Sequence, residues 1–478
     1  MKYTHRYLAR VIVEASTPLA VGSGERNIMT DRLVTTDVNG LPFIPGTALA
    51  GVLRHSFRRD LAGKLFGKQE IINEKGKEIN NSEGSRIILS SAHITGKDGK
   101  VKEGLLEKVF EDNFLKNFRD LPIRQHVRIS HRGASEKRGK FDEQIVFKGT
   151  RFCFMMEFIG DKSDETCWND LLKEFSRPTF RIGGGSRKGF GEISVEEIKN
   201  KAIDLEKELD KYLSISSSLN DPFWDTVVPE KPEKENTDWI IYRLSLKPDD
   251  FLLFGSGFGT DEADMGFVTE RVITWDKAGS PEFSEEKILM LAASVKGAIS
   301  HRVAFHFNKL NEVYADKIKE PGFCHHLISM HYSIPEDCRE FDSGKTEDIL
   351  KMIADGNPAI RSLFGYSASD NDGRCGNVIF SDVFLKPARK KLLTHVAIDR
   401  FTGGAIDGAL FSEEVACCEE TFEMSILVNK DAFITENVKT AFEKTLNDLC
   451  AGKLPLGGGT MRGHGCFSGS FITEEGGI

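Results

Sequence analysis

The sequence predicts an α+β fold made of two copies of one domain. Three observations carry this. Strand-like and helix-like segments follow the order strand, loop, helix, strand, then strand, helix, strand, which suits a ferredoxin-like (RRM-like) unit. The same landmarks recur in the same order in both halves of the 478-residue chain. Each half closes on a glycine-dense segment with a basic residue inside it. The segments are Arg181-Ile-Gly-Gly-Gly-Ser-Arg-Lys-Gly-Phe-Gly191 and Leu456-Gly-Gly-Gly-Thr-Met-Arg-Gly-His-Gly465.

Taken in order, Tyr7 to Ala15 alternates apolar and polar residues and reads as a strand. The turn Leu41-Pro-Phe-Ile-Pro-Gly46 leads to Thr47, an N-cap residue for a helix from Ala48 to about Leu61. That helix has an apolar face of Leu49, Val52, Leu53 and Phe57, and carries Arg54, His55, Arg58 and Arg59. Residues 68–85 read as a loop, Arg86 to Ser90 as a strand and Glu103 to Phe118 as a helix. A basic loop from Arg124 to Lys140 follows, then a strand from Thr150, a helix over Cys167 to Phe175 and a strand over Glu192 to Val195. Ala202 to Tyr212 reads as a helix, and Pro229 to Thr237 as a charged linker.

The pattern then restarts at Trp239. Phe254-Gly-Ser-Gly257 echoes Val21-Gly-Ser-Gly24, and Ser362-Leu-Phe-Gly365 echoes Lys64-Leu-Phe-Gly67. Ala293 to Arg302 echoes Thr47 to Ser56, and Val396 to Ala405 echoes Val127 to Ala134. The units are 1–200 and 238–478, with a linker over 201–237 and an insertion over about 303–360.

Composition narrows the function. The formal net charge is -9, so a nucleic-acid site has to be local. The segment Arg124 to Lys140 supplies one: Arg124, Arg128, Arg132, Lys137, Arg138 and Lys140, with His126 and His131, face the single acid Glu136. The glycine loops fit neither the dinucleotide nor the P-loop template, because Lys188, Arg462 and Phe190 stand where those templates need other residues. Exposed backbone N–H groups beside a basic residue nevertheless suit phosphate. Candidate phosphate contacts on these grounds are Arg54, Arg58, Arg128, His131, Arg132, Gly184, Ser186, Arg187, Lys188, Gly458, Arg462 and His464. The nine cysteines show no C-x-x-C pair and are expected to be reduced thiols. No stretch approaches a membrane span, and a cytoplasmic protein is expected.

Together the landmarks resemble the RAMP superfamily, and within it the Cas-seven backbone subunits of type III CRISPR effectors, of the Csm-three kind. Two such domains in one chain are similar to the fused subunit of III-D-like effectors. The resemblance implies two tandem RAMP domains with inserted thumbs, at Arg124 to Lys140 and around Ile398-Asp-Arg-Phe-Thr-Gly403. It implies a guide-RNA-binding subunit that acts with target RNA and with other Cas-seven-like, Cas-five-like and Cas-ten-like subunits. It makes those phosphate contacts RNA contacts and adds Lys296, His301, Arg302, Arg400 and Thr402; the position of Lys296, basic in the family, is Ala50 in the first unit.

In the catalytic members an Asp before the Pro-Gly turn supports cutting of target RNA. Asp31 occupies that place, either as a base or as a ligand of a divalent ion, magnesium or manganese. In the second unit, counting back from Val272 puts Thr269 in the slot, with Glu270 one residue out of register and Asp264 further back. The expectation is one competent site at Asp31, with Asp264 as the candidate for a rebuilt second one. The alternatives are a scaffold that cuts nothing, and a guide-processing nuclease using His55, His126 or His131.

Overall fold

A computed structural model describes residues 3–28, 30–74, 77–80, 82–130, 132–230, 239–335, 338, 341, 344–367, 373–386 and 389–475. Each half contains an antiparallel sheet in the strand order 4-1-3-2. In the first, Ile193–Asp204, His5–Ala15, Arg151–Gly160 and Ile87–Leu89 lie side by side. In the second they are Phe467–Glu475, Trp239–Pro248, Phe422–Asn429 and Val378–Phe380. This is the ferredoxin-like arrangement. Alternation makes it: Tyr7, Ala9, Val11 and Val13 point to one face and pack on Trp168 and Leu171 of the helix Glu165–Glu174. Tyr242, Leu244 and Leu246 do the same beneath Val295, Ile299, Phe442 and Leu446.

Several local expectations change. The helix expected over 48–61 is two helices, Gly46–His55 and Arg59–Phe66, with Phe57 packed against the core at the break. Thr47 therefore lies inside the first turn instead of capping it. The helix expected over 103–118 is two 3₁₀ turns, Val109–Glu111 and Leu115–Arg119. Asp112 accepts from the N–H groups of Phe114 and Leu115 and so starts a new turn. Within 68–85, Ile71–Glu74 pairs with Lys77–Asn80.

The helix expected from Ala202 gives way to a strand that runs on to Asp204, followed by the helix Leu209–Ser214. Of the segment expected to be a linker, the part up to Glu230 packs on the back of the first sheet, and 231–237 lie outside the described residues. Leu205, Trp224 and Val227 bury against Leu8 and Ile203, and Pro229–Glu230 pairs with the sheet edge. In the second half one helix runs from Ala292 to Leu310, so the insertion begins after it and adds the helices Phe323–Ser329 and Thr346–Gly356. Cys324 and Cys338 form a disulfide, with Cα atoms 5.8 Å apart, against the expectation of reduced thiols throughout. No helix of the described residues is long and apolar enough to cross a membrane.

The two basic loops are antiparallel hairpins. The first pairs Ile123–Ile129 with Ser135–Gln144, and the second pairs Arg389–Ile398 with Ala405–Cys417. The first hairpin is anchored in the other domain. Arg124 is buried with Glu270 and Asp382, its Nε 2.5 Å from Glu270 Oε1 and its Nη1 2.6 Å from Asp382 Oδ2. Asp382 also accepts from Ala292 N–H at 2.8 Å, capping the long helix. At the hairpin's tip Arg132 lies 3.0 Å from Glu347 of the insertion.

Candidate nucleic-acid interface

The two glycine loops share one backbone. Gly183, Gly185, Gly189 and Gly191 have positive φ, and so do Gly457, Gly459, Gly463 and Gly465, at the same four positions of the repeat. In the first loop Gly184 N–H donates to Ala20 O at 2.8 Å, and in the second Gly458 N–H donates to Leu253 O at 2.6 Å. Gly183 has φ +85°, and a Cβ there would sit 2.6 Å from Ala20 O. Gly183→Ala is therefore expected to cost about 1–3 kcal/mol in a denaturant titration. Gly184 is exposed and has room, its Cβ meeting only Ala20 O at 3.6 Å. Gly184→Ala is expected to fold like the parent chain, and equal losses in the two variants would show that neither loop is built as described.

The loops differ in what covers them. The first sits at the junction of the domains. Arg187 Nε donates to Gly376 O at 2.8 Å and the guanidinium lies over Trp239. Gly189 pairs with Ser381. In the second loop Met461, at the Arg187 position, is almost fully exposed. The two loops match in backbone and differ in surroundings. Arg187, expected on RNA, is in part a tie between domains.

Three cations gather at this junction. Burial lowers Lys296, and the neighbouring charges of Lys188 and Arg187 lower it further. Burial also lowers Lys188, opposed by Glu143 and reinforced by Arg32 and Arg128. Arg187 is lowered by burial as well. Such a cluster is relieved by an anion.

At the root of each hairpin lies a second repeated arrangement. Phe141 stacks on His126, with ring centroids 4.9 Å apart, and Phe411 stacks on His395 at 5.0 Å. Two residues beyond each Phe is a buried carboxylate, Glu143 or Glu413. His126 Nε2 lies 2.8 Å from Glu143 Oε1, out of line for a hydrogen bond, and Arg32 Nη1 is 3.6 Å from Oε2. Glu413 is met by Arg462 at 2.5 Å, and by His395 and His464 at 2.9 Å each. Burial raises both carboxyls, but His126 for Glu143, and His464, Arg462 and His395 for Glu413, outweigh it and hold them below the usual range. Sequence reading missed both glutamates. The triplets Phe141-Asp-Glu143 and Phe411-Ser-Glu413 are the signal that would have found them.

Asp31 is placed by the same hairpin. Its N–H donates to Asp142 Oδ1 at 2.7 Å, and Asp142 N–H donates to Asp31 Oδ2 at 3.1 Å. Asp264 does the same with Ser412: its N–H donates to Ser412 Oγ at 3.2 Å, and Ser412 N–H donates to Asp264 Oδ2 at 2.7 Å. Gly22 bridges Val34 in the first unit and Gly255 bridges Phe267 in the second. Counting back from Phe267, Asp264 stands where Asp31 stands before Val34. This corrects the register that put Thr269 in the slot, since the counterpart of Val34 in the second unit is Phe267, not Val272. The carboxyl of Asp264 is held below the usual range by the Ser412 N–H and hydroxyl. Both aspartates are exposed. Arg32 follows Asp31, whereas Met265 follows Asp264.

The remaining candidates divide. Arg54, Arg58, Arg128, His301, Arg400 and Thr402 are exposed, and Ser186 is half-buried. Arg400 and Thr402 sit in a hairpin turn closed by Asp399, which accepts from the N–H groups of Phe401 and Thr402. Arg302 is committed elsewhere, 2.6 Å from Asp448, which also holds His306. His464 is buried on Glu413, so it supports the loop from behind rather than facing RNA. His126 is likewise buried, which removes it as a processing nucleophile or base. His131 lies outside the described residues.

For a divalent ion, no group of three or more ligand-type side chains is present among the described residues. The exposed carboxylates of Asp31 and Asp264 fit the mode in which magnesium is held by one carboxylate together with substrate phosphate.

A model of the RAMP superfamily matches residues 12–194 and 287–468. No curated protein matches the chain.

Proposed function

The chain belongs to the RAMP superfamily, a family of CRISPR-associated RNA-binding subunits, and on that premise we propose that it is a double backbone subunit of a type III effector. In this reading it binds the guide RNA through its glycine loops and cuts guide-paired target RNA at two aspartates. The observation that carries RNA binding is the cation group Arg187, Lys188 and Lys296 beside the exposed Gly184. Lys188 and Arg187 depress Lys296, and the group gains from a phosphate backbone laid across it. The observation that favours cutting over a bare scaffold is the recurrence of one hydrogen-bonded, exposed carboxylate, Asp31 and Asp264, at the root of both hairpins.

The chemistry follows from what a hairpin can do to a duplex. A nucleotide pushed out of its stack can turn its 2′-oxygen in line with the adjacent phosphorus. The 2′-oxygen loses its proton and bonds to phosphorus while the bond to the 5′-oxygen breaks and that oxygen takes up a proton from water. The products are a 2′,3′-cyclic phosphate and a 5′-hydroxyl. Asp31 or Asp264 takes the proton to the solvent side, or its carboxylate would be the group that holds a divalent ion. Such an ion would supply charge neutralisation there. Arg32 stands beside Asp31 to offset phosphate charge.

RNA binding of this kind is sequence-blind. Arg128→Ala with Arg132→Ala is expected to weaken binding to unrelated single-stranded RNAs alike, and to lower the slope of affinity against salt by about two contacts. Fluorescence anisotropy over a salt series measures both. A loss confined to one RNA sequence would point to base readout instead.

A further inference from the structure

Glu143 and Glu413 have no part in the reaction just described, yet both are buried carboxylates at matched positions. A buried charge is costly, and an apolar residue of similar volume often serves a fold as well or better. The surroundings show what each carboxylate gathers. Glu143 meets His126 of the hairpin, Arg32 of the loop that carries Asp31, and the charge of Lys188 in the glycine loop. Glu413 meets His395 of the hairpin, and both Arg462 and His464 of the glycine loop. Lys188 and Arg462 occupy the same position of the repeated loop. Both lie near the Phe two residues before the carboxylate: Lys188 Nζ is 4.9 Å from the Phe141 centroid and Arg462 Cζ is 5.6 Å from that of Phe411. The partners have been redealt between the two units: Glu413 is bonded directly to the glycine loop, whereas Glu143 bears on Lys188 through its charge, with Lys188 seated on Phe141. Arg462 keeps about a third of its side chain exposed, so part of its guanidinium still faces outward.

We infer that Glu143 and Glu413 are positioning residues for RNA: Glu413 by direct bonds and Glu143 by charge, each holds the glycine-loop cation towards the hairpin root, so that loop, cation and hairpin present one preset surface to a phosphate backbone. The role rests on the RNA-binding reading above. It differs from general electrostatics in sign. Removing a carboxylate beside cations makes the surface more positive, which by charge alone tightens RNA binding. A lost clamp weakens it.

The test is a double-mutant cycle on the full chain, read by anisotropy with a labelled single-stranded RNA, with a thermal melt for each variant. Glu413→Gln keeps the shape and removes the charge. It is expected to weaken binding about tenfold, the scale of one charge-assisted contact. In an Arg462→Ala background the same change is expected to weaken it no further, because the carboxylate acts through that arginine. Glu143→Gln with Lys188→Ala repeats the cycle in the first unit. There the loop is also held at the domain junction, so this pair remains readable even if Glu413→Gln unfolds.

Equal or tighter binding in folded Glu→Gln variants, or additive losses, overturns the positioning role and leaves RNA binding standing. If Arg128→Ala with Arg132→Ala, and Arg462→Ala, all leave RNA affinity unmoved, the RNA reading falls and the positioning role falls with it.

Discussion

Asp31→Ala is expected to remove one of two cuts in a guide-paired target RNA, and Asp264→Ala the other. Each variant should lower its own product by about a hundredfold or more, the usual loss when a positioned acid–base group is deleted. The expectation comes from the shared slot. Each aspartate is locked to the residue after the hairpin Phe, Asp142 or Ser412, by hydrogen bonds in both directions. Each lies three residues before the bridge partner of a Gly-Ser-Gly turn. The sites are not identical, because Arg32 has no counterpart at Met265. The second loop borders the first hairpin instead, with Lys140 Nζ 5.8 Å from the Phe258 ring, so a cation comes from the neighbouring domain. The two cuts should therefore differ in rate rather than in kind. The measurement is product length on end-labelled target RNA, in an assembled effector with magnesium, with guide and target binding checked in parallel. If Asp31→Ala and Asp264→Ala both leave every product in place, the chain is a scaffold. If only Asp264→Ala is silent, the second slot is occupied but idle.

Arg124→Ala is expected to destabilise the chain by about 3–5 kcal/mol, the range for removing one partner from a buried ionic group. Arg124, Glu270 and Asp382 are all buried, and among the described residues Arg124 is the cation paired with both carboxylates. Without it both acids remain in a dry junction between domains. Burial and the charge of Asp382 already raise the Glu270 carboxyl, with Arg124 opposing them. Glu270→Gln in the Arg124→Ala background should therefore recover part of the loss, since it removes one orphaned charge. Asp382 is the poorer place for rescue because it also caps the helix at Ala292. Urea denaturation of the three chains measures both effects. A loss under about 1 kcal/mol in Arg124→Ala would mean the junction takes in water when the arginine leaves.

Much of the fold was legible because its signals are local. Alternation over Tyr7 to Ala15 and Trp239 to Leu246 marks the first strand of each domain, and these strands sit at the centre of each sheet. The glycine loops were legible for a similar reason: four positive-φ positions in each loop demand four glycines, and those glycines are visible as letters. The helices over 103–118 and 202–212 were misread because a side-chain cap at Asp112 and burial of Ile203 and Leu205 against Trp224 override propensity.

By itself the sequence determined the duplication, the α+β class, the family and the places of Asp31 and of the basic hairpins, since each is written in contiguous residues. Only the tertiary structure decided the register of Asp264, because a loop of different length cannot be aligned by counting, whereas the Gly255 to Phe267 bridge aligns it by hydrogen bonding. It decided which cations face outward and which are spent, as Arg302 is on Asp448 and Arg124 on Glu270 and Asp382. It also revealed Glu143 and Glu413. A carboxylate in a polar strand looks solvated in one dimension, and only the convergence of hairpin and glycine loop shows that each is buried and paired.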